Sequence, residues 1–146
     1  AGQHWDWDGV GFRVLYPPRG LKYTNNNSSC VLRVEAGGRR YLLVGDIEKE
    51  AEEYILNHGV DVASNVLVVP HHGSHTSSTL DFLKAISPEV AIFSVGRNPY
   101  GHPTNKALTM ARNFAGSSVR TDELGSIALW IENTGWKISA AGKLTA

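Results

Sequence analysis

The sequence predicts an α/β domain, a mixed β-sheet with flanking helices. Three observations carry this. Residues 65–70, Asn-Val-Leu-Val-Val-Pro, are apolar at five successive positions, as in a strand covered on both faces. Residues 89–96, Glu-Val-Ala-Ile-Phe-Ser-Val-Gly, form a second buried strand. Between them Leu80, Leu83 and Ile86 recur at helical spacing. Strand, helix and strand within about thirty residues make a βαβ unit, and hence parallel pairing.

The other elements follow in order. His4-Trp5-Trp7 and the alternating Asp6 and Asp8 suit an edge segment that packs its indoles, rather than a set of metal ligands. Residues 11–16 alternate loosely and run into Pro17-Pro18, as a strand would. Residues 19–29 are a polar loop. Strands over 30–36 and 41–45 flank Gly37-Gly38-Arg39-Arg40, read as a hairpin turn in which glycine supplies positive φ. Ile47, Ala51, Tyr54 and Ile55 then fall on one face, so 48–58 is an amphipathic helix ended by Gly59. His58 would complement its C-terminal dipole.

Ser78 is the predicted cap of a helix over 79–87, with Asp81 in its first turn and Pro88 as its stop. Residues 97–103 form a loop. Thr104 caps a helix over 105–115 that turns Leu108, Ala111 and Phe114 inward. Two alternating strands, 126–132 and 136–140, are joined at Asn133-Thr134-Gly135. At 146 residues, with no internal repeat or linker, residues 1–146 read as one domain.

Composition excludes several classes. Hydrophobic residues make up 42 % and charged residues 19 %, which is ordinary for a globular chain. Acidic and basic residues both number 14, so net charge names no partner. Residues 47–89 carry seven acids against two bases, and residues 90–146 six bases against three acids, a basic tilt weaker than a dedicated nucleic-acid patch. Cys30 is the single cysteine, so no internal disulfide forms. No apolar run approaches the ~20 residues of a membrane span, and neither a span nor a signal peptide is expected within these residues. The first residue is not Met, which fits a piece excised from something longer.

Chemistry concentrates at three predicted strand ends. In open α/β sheets, ligands bind beyond the carboxyl ends of strands. One such end carries Gly45-Asp46, one carries His71-His72, and the loop after 89–96 carries His102. A carboxylate and several imidazoles converging on one rim suit Zn²⁺ or a similar ion. Plainer readings stand beside this one. Asp46 could cap the helix that begins near Ile47. The histidine pair could be solvated, His75 lies further out, and His102 could be a turn residue. The chain holds no phosphate loop of the G-x-x-x-x-G-K-[ST] type, so nucleotide-dependent chemistry is not expected. Ser74 lies near the histidines, but G-x-S-x-G is absent, which argues against a serine hydrolase.

The stretches GDIEKE (45–50), PHHGS (70–74), YGHP (100–103) and RTDELGSIAL (120–129), in this order, resemble the C-terminal metallo-β-lactamase-like domain of the ComEC family of DNA-uptake competence proteins. The resemblance runs from about Trp7 to Trp130. It implies half of an αββα fold in a bacterial inner-membrane protein that carries single-stranded DNA inward. It also implies a nuclease that degrades the strand not imported. Asp46 resembles the family's metal-bridging aspartate. His71 and His72 match its double histidine, with His72 favoured as ligand and His71 as a catalytic group. His102 matches the late histidine near the scissile phosphate or the metal. Asn26 and Ser28 match a polar loop of the family.

One departure matters. The main metal motif of this fold, H-x-H-x-D-H, occurs nowhere in these 146 residues. The resemblance therefore implies that the preceding half-domain supplies it, and that a Zn²⁺ or Mn²⁺ site needs both halves. Expected partners are DNA, that half-domain and the membrane channel of the parent. An exposed inner face would also favour self-association. Two other functions compete: a non-catalytic DNA-binding or supporting module, and another phosphodiesterase, such as a phosphocholine esterase, on the same fold.

Overall fold

The computed structural model describes residues 1–22, 24–132 and 135–141. Their main body is a seven-stranded mixed sheet with strands in sequence order. β1 (His4–Trp7), β2 (Val10–Tyr16), β3 (Val31–Ala36) and β4 (Arg39–Leu43) form an antiparallel meander. β5 (Val66–Val68), β6 (Val90–Phe93) and β7 (Ser117–Arg120) extend it in parallel from β4. The crossovers are α1 (Lys49–Asn57), α2 (Leu80–Ile86) and α3 (Asn105–Phe114). A short helix, α4 (Thr121–Leu124), leads to the antiparallel hairpin β8 (Ser126–Glu132) and β9 (Gly135–Ala141). This is the mixed sheet with flanking helices that the periodicity predicts.

Period-two alternation sorts the sheet into two faces. On one face Tyr16, Val31, Leu42, Val44 and Leu67 meet Ala51 and Ile55 of α1 and Phe82, Leu83 and Ile86 of α2. Val69, Ala91 and Phe93 continue that face against Ala107 and Ala111 of α3. On the other face Val66, Val90 and Ile92 are covered by Ile127, Leu129 and Ile138 of the hairpin. The rows they belong to run on across the meander, as Trp5–Phe12–Val34–Tyr41–Val66 and Val14–Leu32–Leu43–Val68. There the cover stops. Trp5 stacks on Phe12 with ring centroids 5.0 Å apart, while the Trp7 indole is 74 % exposed. Of the two indoles expected to pack, one does.

Four details differ from the sequence reading. The turn between β3 and β4 is Gly37-Gly38 alone, both at positive φ, and Arg39 and Arg40 belong to the strand. Ser78 does not cap α2; the cap position is Thr79, with no side-chain cap bond. Instead the buried Glu52 carboxylate of α1 accepts the backbone N–H groups of Ser78 at 2.7 Å and Thr79 at 2.8 Å. A neighbouring helix thus satisfies donors that a local hydroxyl usually takes. Strand β7 and helix α4 were not expected, because Ser117 and Ser118 carry no apolar alternation. The turn residues Asn133 and Thr134 lie outside the described residues.

Thr104 does cap α3: its hydroxyl accepts from Ala107 N–H at 3.3 Å. The same residue donates from both its N–H and its hydroxyl to the Gly73 carbonyl, at 2.9 and 3.0 Å. The start of α3 is therefore tied to the loop after β5. Gly73 has φ +85°, and a Cβ there would lie 2.6 Å from Pro103 Cβ and 2.9 Å from the Phe93 ring. Only glycine fits that approach.

Candidate metal centre

The loops after β4, β5 and β6 open on one edge of the sheet. Backbone bonds lock the first two together. His71 N–H donates to Gly45 O at 3.0 Å, Lys49 N–H donates to Thr76 O at 3.1 Å, and the Ser77 hydroxyl donates to Ile47 O at 2.7 Å. Pro70 ends β5, and the chain turns through His71 at φ +49° and His72 at φ +54°. Two consecutive non-glycine residues in the left-handed region are uncommon and cost energy, as is frequent at functional sites. The adjacent rings meet different partners: His71 lies beside Glu48 and Thr76, and His72 beside Asp46 and the Ser94 carbonyl.

His72 meets Asp46. Its Nε2 lies 3.7 Å from Asp46 Oδ1, with the side chains 51 % and 42 % exposed. Its Nδ1 lies 2.6 Å from the Ser94 carbonyl. A carbonyl only accepts, so Nδ1 carries the proton and Nε2 presents a lone pair to the carboxylate. Two facing lone-pair groups repel unless a proton or a cation lies between them. Ligands on one tetrahedral ion at ~2.0–2.2 Å stand about 3.4 Å apart, so the pair fits a divalent ion with little movement. Asp46 is not a helix cap. α1 starts at Lys49, its cap position is Glu48, and Asp46 N–H is held by the Ser29 hydroxyl at 3.2 Å.

His71 meets a different acid. Its Nδ1 lies 3.4 Å from Glu48 Oε1 and 3.4 Å from the Thr76 hydroxyl. Thr76 donates to the same Glu48 oxygen at 3.0 Å, and Asn26 Nδ2 donates to it at 3.2 Å. Glu48 N–H in turn donates to Asn27 Oδ1 at 2.8 Å. An imidazole oriented through Nδ1 by a carboxylate leaves Nε2 free to act. Asn26 thus supports the site through Glu48, whereas the Ser28 hydroxyl only donates to Asn25 O within its own turn. Glu48 was missed in the sequence reading; its place two residues after Asp46, in an extended segment, was the available signal.

His102 lies beside His71, with ring centroids 5.8 Å apart and the rings edge to face. Burial, and then the neighbouring His71, His72 and His75, hold its imidazole below the ordinary range, so the neutral ring is favoured. Its Nδ1 is buried without a hydrogen-bond partner among the described residues. A buried ring nitrogen with no protein partner is open to a water, a ligand or a proton. His75 is exposed, and its carbonyl accepts from Lys106 Nζ at 3.2 Å. His58 stacks on Tyr54 and caps α1, as expected of a C-terminal histidine.

The structure therefore brings Asp46 and His72 together, places His71 next to His102, and leaves His75 and His58 outside. Among the described residues no group of three or more His, Cys, Asp or Glu side chains is arranged around one point. The rim brings one carboxylate and one imidazole within 3.7 Å of each other.

The chain matches the metallo-beta-lactamase superfamily over residues 1–97. It is 42 % identical over 139 residues to Competence protein ComA of Neisseria gonorrhoeae, which covers 94 % of this chain and 20 % of that protein. It is 38 % identical over 123 residues to ComE operon protein 3 of Bacillus subtilis, covering 84 % of this chain and 16 % of the relative. Recombination protein 2 of Haemophilus influenzae is 33 % identical over 128 residues, covering 87 % of this chain and 16 % of the relative. The chain spans a fifth or less of the length of each of these relatives. The resemblance to competence proteins drawn from the motifs is borne out.

Proposed function

The chain belongs to the metallo-beta-lactamase superfamily, and we propose that it is the C-terminal half of the metal-dependent nuclease domain of a DNA-internalisation protein in the bacterial inner membrane. The observation that carries this is the His72–Asp46 pair, set 3.7 Å apart with His72 Nδ1 held by a carbonyl. Two ligands make an incomplete site, which suits a centre finished by an H-x-H-x-D-H motif from the preceding half. The open face over β1–β4 is where that half would pack, and two copies of the chain would associate there in its absence. Among the described residues no helix is long and apolar enough to cross a membrane, so the channel would belong to other parts of the parent.

Asp46 and His72 would hold a divalent ion, Zn²⁺ or Mn²⁺. Such an ion supplies Lewis acidity toward a phosphodiester oxygen and a nucleophile at neutral pH. Asp46 would supply a carboxylate oxygen and His72 its Nε2. Glu48 positions His71 so that Nε2 can accept a proton at the reacting phosphate. The neutral ring of His102 is favoured, so it would protonate the leaving oxygen after taking up a proton from solvent. The strand degraded would be the one not imported.

The test is cleavage of single- and double-stranded DNA with Mn²⁺ or Zn²⁺. The chain alone should cleave little or not at all, and addition of the preceding half should restore cleavage. In the completed domain Asp46→Ala and His72→Ala should abolish it, and Glu48→Gln should lower it about 10- to 100-fold. Robust cleavage by the chain alone, lost in Asp46→Ala, would mean that this half is sufficient. No cleavage by the completed domain would favour a supporting or DNA-binding role.

A further inference from the structure

The loop after β6 carries an aromatic ring that the metal centre does not use. Tyr100 is 76 % exposed, yet its loop is braced. Asn98 Nδ2 donates to the carbonyls of Gly96 at 2.9 Å and His102 at 2.8 Å. Asn98 Oδ1 accepts the N–H groups of Tyr100 at 3.1 Å and His102 at 3.0 Å. One side chain thus fixes Tyr100 relative to His102, whose rings lie 29° from parallel with centroids 5.9 Å apart. Tyr100, Arg97, Asn98, His72 and His102 line one pocket of about 360 Å³. Its size lies at the lower end of the range for small-ligand sites. Arg97 is exposed and makes no ion pair among the described residues.

An exposed aromatic ring on a loop held by four hydrogen bonds contributes little to the core, and its apolar surface is costly to leave in water. A nearby unpaired guanidinium adds an anion preference. An aromatic face with a cation beside it is the combination that binds single-stranded nucleic acid, because every base has a π-face and every nucleotide a phosphate. Bases inside a duplex are already stacked on each other and cannot receive a ring at a rim.

We infer that this pocket is a nucleotide subsite, in which Tyr100 stacks on an unpaired base and Arg97 holds an adjacent phosphate. The inference rests on the phosphodiester reading above and deepens it: the substrate at the rim is a single strand, held by its base as well as its backbone. The backbone runs from Arg97 towards His72 and His102, which share the pocket.

Binding without turnover tests this. Fluorescence anisotropy in EDTA would compare a labelled thymidine oligomer, the same oligomer with abasic sites, and a duplex, on the chain and on its Tyr100→Ala and Tyr100→Phe variants. The expected result is that the natural strand binds roughly 5- to 100-fold tighter than the abasic strand. Tyr100→Ala should bring the natural strand down to the abasic level, and Tyr100→Phe should keep the difference. Tyr100 is exposed, so neither variant disturbs the core. Equal binding of natural and abasic strands, or a preference that survives Tyr100→Ala, overturns the subsite and leaves the phosphodiester reading standing. A duplex bound as tightly as the single strand and weakened equally by Tyr100→Ala also overturns it. Failure of every oligomer to bind overturns the subsite and leaves the phosphodiester reading to the cleavage assay of the completed domain.

Discussion

The two faces of the seven-stranded sheet are finished differently. The helix face is sealed from Tyr16 to Ala111, with Leu42, Leu67, Phe82 and Phe93 fully buried. Among the described residues the opposite face is sealed where β8 and β9 lie over β5, β6 and β7, with Tyr41 of β4 at the margin. Over the meander it presents Trp5, Trp7 and Leu43 to solvent. The loops of the candidate site are anchored on the sealed side: Phe93 packs against Gly73, and the Ser77 hydroxyl holds Ile47 O. Stability and site geometry therefore share one face, and the other is open over the meander.

The largest expected effect tests that division directly. Phe82→Ala should cost about 3–5 kcal/mol, the usual loss for a fully buried ring with its cavity. Trp7→Ala should change stability by no more than about 0.5 kcal/mol despite removing a larger side chain. Urea denaturation of both variants measures the contrast, and similar losses would mean that the open face also supports the fold.

Glu52 should give the next effect. Glu52→Ala leaves the N–H groups of Ser78 and Thr79 without their partner, at a cost of about 1–3 kcal/mol. Burial raises the Glu52 carboxyl above its ordinary 4.5, against the hydrogen bonds from Thr79 and Ser78 that lower it. A raised value means that the folded state binds this proton more tightly than the unfolded one. Its contribution is then full below pH 4.5 and declines as pH rises through the folded value. Glu52→Gln should flatten that part of the stability profile.

Asp61, at the edge of the same face, should show the opposite sign and a smaller size. Burial alone would raise its carboxyl, but the Ala63 N–H and the Arg40 and Arg33 guanidinium groups outweigh it and hold it below 3.8. Its contribution is present above pH 3.8 and lost as pH falls through the folded value. The carboxylate is more than half exposed, so Asp61→Asn should cost under about 1 kcal/mol, with most of the loss removed by high salt. Denaturation on either side of that pH, with and without salt, checks it.

Much of the fold was legible because its strong segments repeat their pattern. Val66 to Val68 and Val90 to Phe93 are buried strands, and α1, α2 and α3 lie within a residue or two of their predicted spans. β7 was not legible, since a short polar edge strand has no pattern to read. At the candidate site, Asp46, His71, His72 and His102 stood out by residue type at strand ends. Glu48 did not, because an acid in a run of acids looks like a solvated helix start. Asn98 and Tyr100 were passed over as loop residues.

By itself, then, the sequence determined which segments form strands and helices and which side chains can bind metal or move protons. Both are properties of local periodicity and of chemistry carried residue by residue. Only the tertiary structure decided how the adjacent histidines divide. Two left-handed residues turn His71 to Glu48 and His72 to Asp46, and neither acid's choice can be read from spacing. It likewise decided that a carboxylate of α1 caps α2. These pairings depend on backbone direction at a turn and on helices distant in sequence, which become neighbours only when the core packs.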